Sequence, residues 1–204
     1  MKNKEALVNA MITGGALRSP HIIKAFETID RKYFVPEDFA EHIYVDAPLP
    51  IGKDQTISQP STVAFMLELL GVQEGDRVLD IGSGSGWTTA LLCAIVGGKG
   101  RVKGMERVDE LVVQGQKNLA QFHFGSFCSI QKAGEHLGIP GETFDKILVS
   151  ASADEIPEEL FGQLKTGGVL VIPVRNSIFR FRKISPEQVS REEFPGFRFV
   201  PLIY

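Results

Sequence analysis

A carboxylate and three alternate glycines stand together at Asp80-Ile81-Gly82-Ser83-Gly84-Ser85-Gly86, after the apolar run Val78-Leu79 and before the stretch that begins at Trp87. A strand that runs into glycines at a helix start makes a ligand turn. Glycine tolerates the tight backbone and lets a ligand approach it closely. The helix N-terminus also offers free N–H groups to an anionic ligand group. Here the spacing is Gly-x-Gly-x-Gly, not Gly-x-Gly-x-x-Gly. Asp80 would crowd a pyrophosphate but could face an ammonium. Glu106 closes the next strand, about twenty residues on, the offset at which an acid reaches ribose hydroxyls in dinucleotide folds. The structural alternative is a turn that binds nothing.

Other chemistry finds little support. His21, His42, His123 and His136 are scattered, with no Gly-x-Ser-x-Gly elbow for a Ser-His-Asp mechanism. The chain has no His-x-x-x-His or Cys-x-x-Cys pair, so no metal site is expected. His136 reads as a solvated loop residue. Trp87 reads as a helix-packing residue, with contact to a cofactor's edge as the alternative. Arg175, Arg180, Arg182 and Lys183 read as the solvated face of an edge strand, where charge deters edge-to-edge pairing.

These residues sit in 204 residues, the size of one domain, 43% hydrophobic and 23% charged. That composition supports a core and excludes a disordered chain. A net charge of −3 lacks the basic excess of a dedicated nucleic-acid binder. Cys93 and Cys128 are too few for a disulfide scaffold and read as small core residues of a reduced, cytoplasmic protein. No signal peptide or membrane span is expected.

The first third is helical and turn-rich. Glu5–Ala16 carries helical spacing and ends near Gly14-Gly15. Ser19 is expected as N-cap and Pro20 as the first residue of a second helix. Residues 46–58 read as a long loop, and Pro60–Leu70 as a helix stopped by Gly71. Strands are expected over 77–81, 101–106, 127–131, 144–150 and 168–174. Helices are expected over 86–96, 108–122 and 157–164. That alternation implies parallel βαβ units with a sheet covered on both faces. Residues 178–184 and 197–203 read as an antiparallel hairpin across a polar connection. Asp80 and Glu106 fall at strand ends, outside the apolar core.

Asp46-Ala47-Pro48-Leu49-Pro50-Ile51-Gly52, followed by Gln55-Thr56-Ile57-Ser58-Gln59-Pro60, resembles the protein-L-isoaspartate O-methyltransferase family. Arg31, Phe34-Val35-Pro36, the glycine turn, Ala151-Ser152-Ala153, Ile156-Pro157, Gln163-Leu164-Lys165, Gly167-Gly168, Ile172-Pro173-Val174 and Phe199-Val200-Pro201-Leu202 follow the same order. Asp-x-Gly-x-Gly-x-Gly is also the pattern of S-adenosylmethionine (SAM) methyltransferases. The resemblance spans almost the whole chain. It implies an α/β fold: a doubly wound, mostly parallel seven-stranded sheet of the class I methyltransferase type, with a C-terminal antiparallel hairpin. It also implies one domain over 1–204, with a helical segment and active-site loop in 1–60 and a Rossmann-like core in 61–204.

The implied activity is methyl transfer from SAM to the carboxylate of L-isoaspartyl residues in damaged proteins, for repair. The resemblance maps the active-site serine onto Ser58, whose local alternative is a cap for the Pro60 helix. It places SAM against Thr56, Ile57, Asp80, Gly82, Ser83, Gly84, Gly86, Glu106, Arg107, Ala133 and Gly134. A carboxylate acceptor is already ionised at neutral pH and needs no strong base, only alignment and exclusion of water. The implied partners are isoaspartyl peptides and unfolded or damaged proteins, with no nucleic acid or membrane and a monomer or weak oligomer. The alternatives are the same fold with another carboxylate acceptor, or a non-catalytic relative.

Three places depart from the family pattern. Lys132-Ala133-Gly134 stands where Gly-Asp-Gly is usual, so the acid expected near the adenine amino group is replaced by Ala133. Lys53-Asp54 replaces an aromatic and glycine on the side where substrate is expected to approach. Arg175-Asn176 replaces a glycine.

Overall fold

The computed structural model describes residues 3–203. In chain order the elements are α1 (Lys4–Thr13), α2 (Pro20–Thr28), β1 (Leu49–Gly52), β2 (Gln55–Ile57), α3 (Pro60–Leu70), β3 (Arg77–Ile81), α4 (Trp87–Val96) and β4 (Arg101–Glu106). They continue as α5 (Asp109–Ala120), β5 (Cys128–Lys132), β6 (Phe144–Val149), α6 (Glu159–Gly162), β7 (Leu164–Val174), β8 (Ser177–Lys183) and β9 (Val189–Pro195). The main sheet has seven strands in the order β5-β4-β3-β6-β7-β8-β9. The first five are parallel, and β8 and β9 are antiparallel additions. The chain leaves β3 toward β4 on one side and returns to β6 on the other. That reversal opens a crevice at the carboxyl end of β3, where ligands of such sheets bind.

Strand alternation divides the core. Val78, Val102, Ile130, Leu148, Val171 and Ile178 point into one cluster, which also takes the apolar residues of α1 to α5. Leu79, Ile81, Met105, Ile147, Leu170 and Ile172 point into the other, with Leu160 of α6. Pro20 and Pro60 start α2 and α3, and Gly71 ends α3 at φ 60°, a left-handed conformation that suits glycine. Ser19 does occupy the N-cap position of α2, but its hydroxyl donates to Glu68 at 2.7 Å rather than capping the helix.

Several expectations are corrected. Residues 46–58 contain a two-stranded hairpin, with Leu49 opposite Ile57 and Pro50 opposite Thr56. Its tip residues Lys53 and Asp54 both have positive φ, which glycine or asparagine would have advertised and lysine does not. The helix over 157–164 shrinks to Glu159–Gly162, because β7 already begins at Leu164, opposite Phe144. The hairpin partner of β8 is Val189–Pro195, not 197–203. Its Ser-Arg-Glu-Glu sequence is polar because it is the true edge strand. Arg180 therefore lies inside the sheet, donating to Glu192 across the β8–β9 pair at 2.6–2.9 Å. Cys93 of α4 and Cys128 of β5 are joined in a disulfide, against the reduced pair expected.

Candidate active site

The hairpin and α3 are held by two buried or half-buried polar side chains. Arg31 is 2% exposed. Its guanidinium donates to the carbonyls of Ile43, Val45, Ala47 and Ser58 at 2.8–3.2 Å and lies 5.3 Å from the Trp87 ring centre. Burial pulls its pKa down to about 10, partly opposed by the charge of Asp46. Asp46 accepts from the Ser61 N–H at 2.8 Å and from the Gln59 amide at 3.2 Å, so it caps the start of α3. Ser58 lies one residue before the N-cap Gln59, and the cap reading of Ser58 falls to Asp46. Trp87 packs edge-on against Phe26, as a core residue.

At the carboxyl end of β3, Gly82, Gly84 and Gly86 have φ of 78°, 53° and 92°, conformations that side chains rarely adopt. Gly86 answers a packing need as well: a Cβ there would come within 2.9 Å of Ile130 and 3.1 Å of the Gly115 carbonyl. The N–H groups of Gly82 and Ser83 donate to the Met105 carbonyl at 2.8 and 3.1 Å, and that of Gly84 to Glu106 at 2.7 Å. These three donors are committed to β4; the N–H groups expected to face a ligand are those of the first turn of α4, which begins only at Trp87. Glu106, 7% exposed, also accepts from the N–H groups of Arg107 and Val108 at 2.8 and 2.9 Å. Asp80 is fully buried. It accepts from Thr89 at 2.6 Å and weakly from Ser150 at 3.5 Å. Burial raises its pKa to about 7; the Thr89 hydrogen bond works against that rise and Glu106 adds to it. Neither acid lies outside the core.

A cleft opens at this point. It is lined by Gln55 and Thr56 of the hairpin, Gly82 and Gly84 of the turn, Glu106, Arg107, Ala133, Gly134, His136, Ser150 and Ala151, and roofed by Val200–Ile203. The roof is pinned across Ser152, whose N–H donates to Val200 and whose carbonyl accepts from Leu202, both at 2.8 Å. A second recess holds Ser58 with Pro48, Gln59, Thr62, Arg198 and Phe199, and it shares Thr56 and Val200 with the first.

Thus Thr56, Gly82, Gly84, Glu106, Arg107, Ala133 and Gly134 come together as expected. Ile57, Asp80, Ser83 and Gly86 do not line the cleft. Asp80 reaches it only through Ser150, which does. His136, read as a solvated loop residue, is exposed at the rim of the cleft. The Lys53-Asp54 tip faces neither recess. Lys53 pairs with Glu110 at the start of α5 at 2.5 Å. Arg175-Asn176 forms the tight β7–β8 turn and also lies outside both. Sequence reasoning missed the work of Asp46, Ser150 and the roof; Asp46 and the roof lie inside motif runs, while Ser150 is marked only as the end of the expected strand over 144–150.

The lining suits a nucleoside that carries a positive charge. Glu106 Oε2 accepts only from the Gly84 N–H and keeps a lone pair that can accept from a ribose hydroxyl, whereas Oε1 is filled by the N–H groups of Arg107 and Val108. The Glu106 carboxylate in the lining disfavours phosphate. The fold and this cleft define a class I SAM-dependent methyltransferase. The chain matches the family model described as protein-L-isoaspartate(D-aspartate) O-methyltransferase over residues 2–204, and it belongs to that family.

It is 39% identical to the protein-L-isoaspartate O-methyltransferase of Methanopyrus kandleri, over 98% of this chain and 91% of that one. It is 41% identical to that of Fervidobacterium nodosum, over 90% and 94%. A Plasmodium falciparum protein described as a protein-L-isoaspartate O-methyltransferase, crystallised with S-adenosyl-L-homocysteine, superposes with a TM-score of 0.89 at 25% identity, over 100% of this chain and 99% of that one.

Proposed function

We propose that the protein transfers the methyl group of SAM to the carboxylate of L-isoaspartyl residues in damaged proteins and peptides, with Ser58 at the acceptor. One observation carries the assignment of sites: the glycine-turn cleft and the Ser58 recess share Thr56 and Val200 as a common wall. Donor and acceptor can therefore meet at that wall, with the roof excluding water. When bound, SAM supplies an electrophilic methyl on a sulfonium that leaves as a neutral thioether. Glu106, Arg107, Gly134 and the turn would hold it. Asp80, one layer below, positions Ser150 and α4.

On the acceptor side, the Ser58 hydroxyl donates to one carboxylate oxygen while the other oxygen attacks. No proton has to be removed, since the acceptor is ionised at neutral pH. Catalysis then rests on orientation. The net charge of −3 supports action without nucleic acid. Among the described residues, no helix is long and apolar enough to cross a membrane. The test is methyl transfer from labelled SAM to an isoaspartyl peptide beside its aspartyl twin. Label in the first alone is expected; equal label in both, or in neither, would refute the assignment.

A further inference from the structure

The Ser58 recess does not end at Ser58. Over the first turn of α3 it meets a second recess, and both are lined by Gln59, Thr62 and Arg198. The second continues past Phe65 to the Gly14-Gly15-Ala16 turn that follows α1. Together they form a trough along which an extended peptide could lie on either side of the residue presented to Ser58. Its walls are glycines, small hydroxyl and amide residues, and apolar side chains. Arg198 is the one charged residue in either lining. It is exposed, and among the described residues its side chain forms no ion pair and no hydrogen bond, whereas Arg31 donates through both terminal nitrogens to backbone carbonyls and Arg180 pairs with Glu192.

We propose that Arg198 is a specificity-determining residue that favours isoaspartyl substrates with an acidic side chain next to the damaged residue. The inference rests on the carboxyl-methylation reading above. An unpaired guanidinium in an otherwise neutral trough recognises a carboxylate through its planar fork. A residue adjacent to the isoaspartyl lies about 3.3 Å per residue away along an extended chain, within the recess that Ser58 and Arg198 share. Because Arg198 is exposed, the preference is modest and sensitive to salt.

The experiment compares isoaspartyl peptides that carry glutamate, alanine or lysine at the preceding or following position. For the wild type, kcat/KM at low salt should rank glutamate over alanine over lysine at one or both positions. Each step should be about two- to fivefold and lie mainly in KM, the range of an exposed ion pair. The ranking should compress in 0.5 M salt, a concentration chosen to shorten the screening length to about 4 Å. Arg198→Ala should abolish the ranking, Arg198→Glu should invert it, and Arg198→Lys should keep it in weaker form. Equal kcat/KM across the peptides, or a ranking that survives in Arg198→Glu, would overturn this inference alone. Failure of the wild type to methylate any isoaspartyl peptide, the alanine-flanked one included, would overturn the parent reading with it.

Discussion

The guanidinium of Arg31 donates to the carbonyl of Ser58 at 3.1 Å. The same fork holds Ile43, Val45 and Ala47, so one buried side chain sets the path of the segment that carries the acceptor hydroxyl. Two substitutions separate position from chemistry. Ser58→Ala removes a positioning bond to a charged group, worth about 1.5–3 kcal/mol. It should lower kcat roughly ten- to a hundredfold while leaving the melting temperature and SAM affinity in place. Arg31→Lys keeps the charge and loses the fork. It should cost about 2 kcal/mol of stability as well as activity. Thermal melts beside steady-state kinetics decide the point; wild-type turnover in Ser58→Ala would remove Ser58 from the mechanism.

Glu106 ties the glycine turn to β4 and to the start of α5 through three backbone N–H groups. Glu106→Ala leaves those donors without their acceptor, at about 1–3 kcal/mol for each one left unsatisfied. The variant should both melt earlier and bind SAM more weakly by calorimetry. Unchanged affinity in a folded variant would move the ribose elsewhere.

Asp80 gives a pH signature. Its folded pKa is raised from 3.8 to about 7, chiefly by burial. Below pH ~4 it is protonated in both states and contributes nothing. Between pH ~4 and 7 the unfolded chain ionises more readily than the folded one, so stability falls as pH rises, and above 7 the loss is complete. Asp80→Asn cannot ionise. Relative to wild type, its stability should rise across that window, by an amount on the order of 4 kcal/mol. Parallel denaturation curves at pH 4.5, 6 and 7.5 would show the two proteins diverging; constant separation would refute the shift.

The Cys93–Cys128 disulfide closes a separation of 35 residues and ties α4 to the outermost parallel strand. Chain-entropy reasoning gives ~4 kcal/mol for a loop of that size. Reductant, or Cys93→Ala with Cys128→Ala, should lower the melting temperature by about 8–15 °C. Identical melts with and without reductant, for protein whose thiols titrate as free, would show that the bond does not form in solution.

Ala133 lines the cleft where the family pattern has an acid. Its N–H is already spent on the Glu106 carbonyl at 2.8 Å, and Arg107 donates to the Gly134 carbonyl at 3.4 Å. Ala133→Asp would add an acceptor for the adenine amino group. It should tighten SAM roughly tenfold or more, and should do much less for an analogue lacking that amine. Equal tightening of both ligands would mean that the gain is not adenine recognition.

The parallel core, the glycine turn and Glu106 were legible in the sequence, because each is written in local periodicity or in a residue type suited to its place. Gly82 and Gly84 announce positive φ; Val169–Val174 announces a buried strand. What lay beyond local reading was decided by partners distant in the chain. The polar run Ser190–Glu193 is a strand because β8 offers it hydrogen bonds, and residues 197–203 are instead a roof because Ser152 takes them. Lys53 adopts a left-handed conformation its type does not favour because Leu49 and Ile57 pair behind it. Asp80 and Glu106 looked like strand-end acids, yet packing buried both and gave Asp80 a pKa that no spacing encodes. Cys93 and Cys128 became a pair only when α4 was laid against β5. Local sequence sets which conformations are cheap. Which of them is adopted, and which carboxylate, hydroxyl or thiol then meets which neighbour, depends on contacts between segments tens of residues apart, and only the folded chain supplies those.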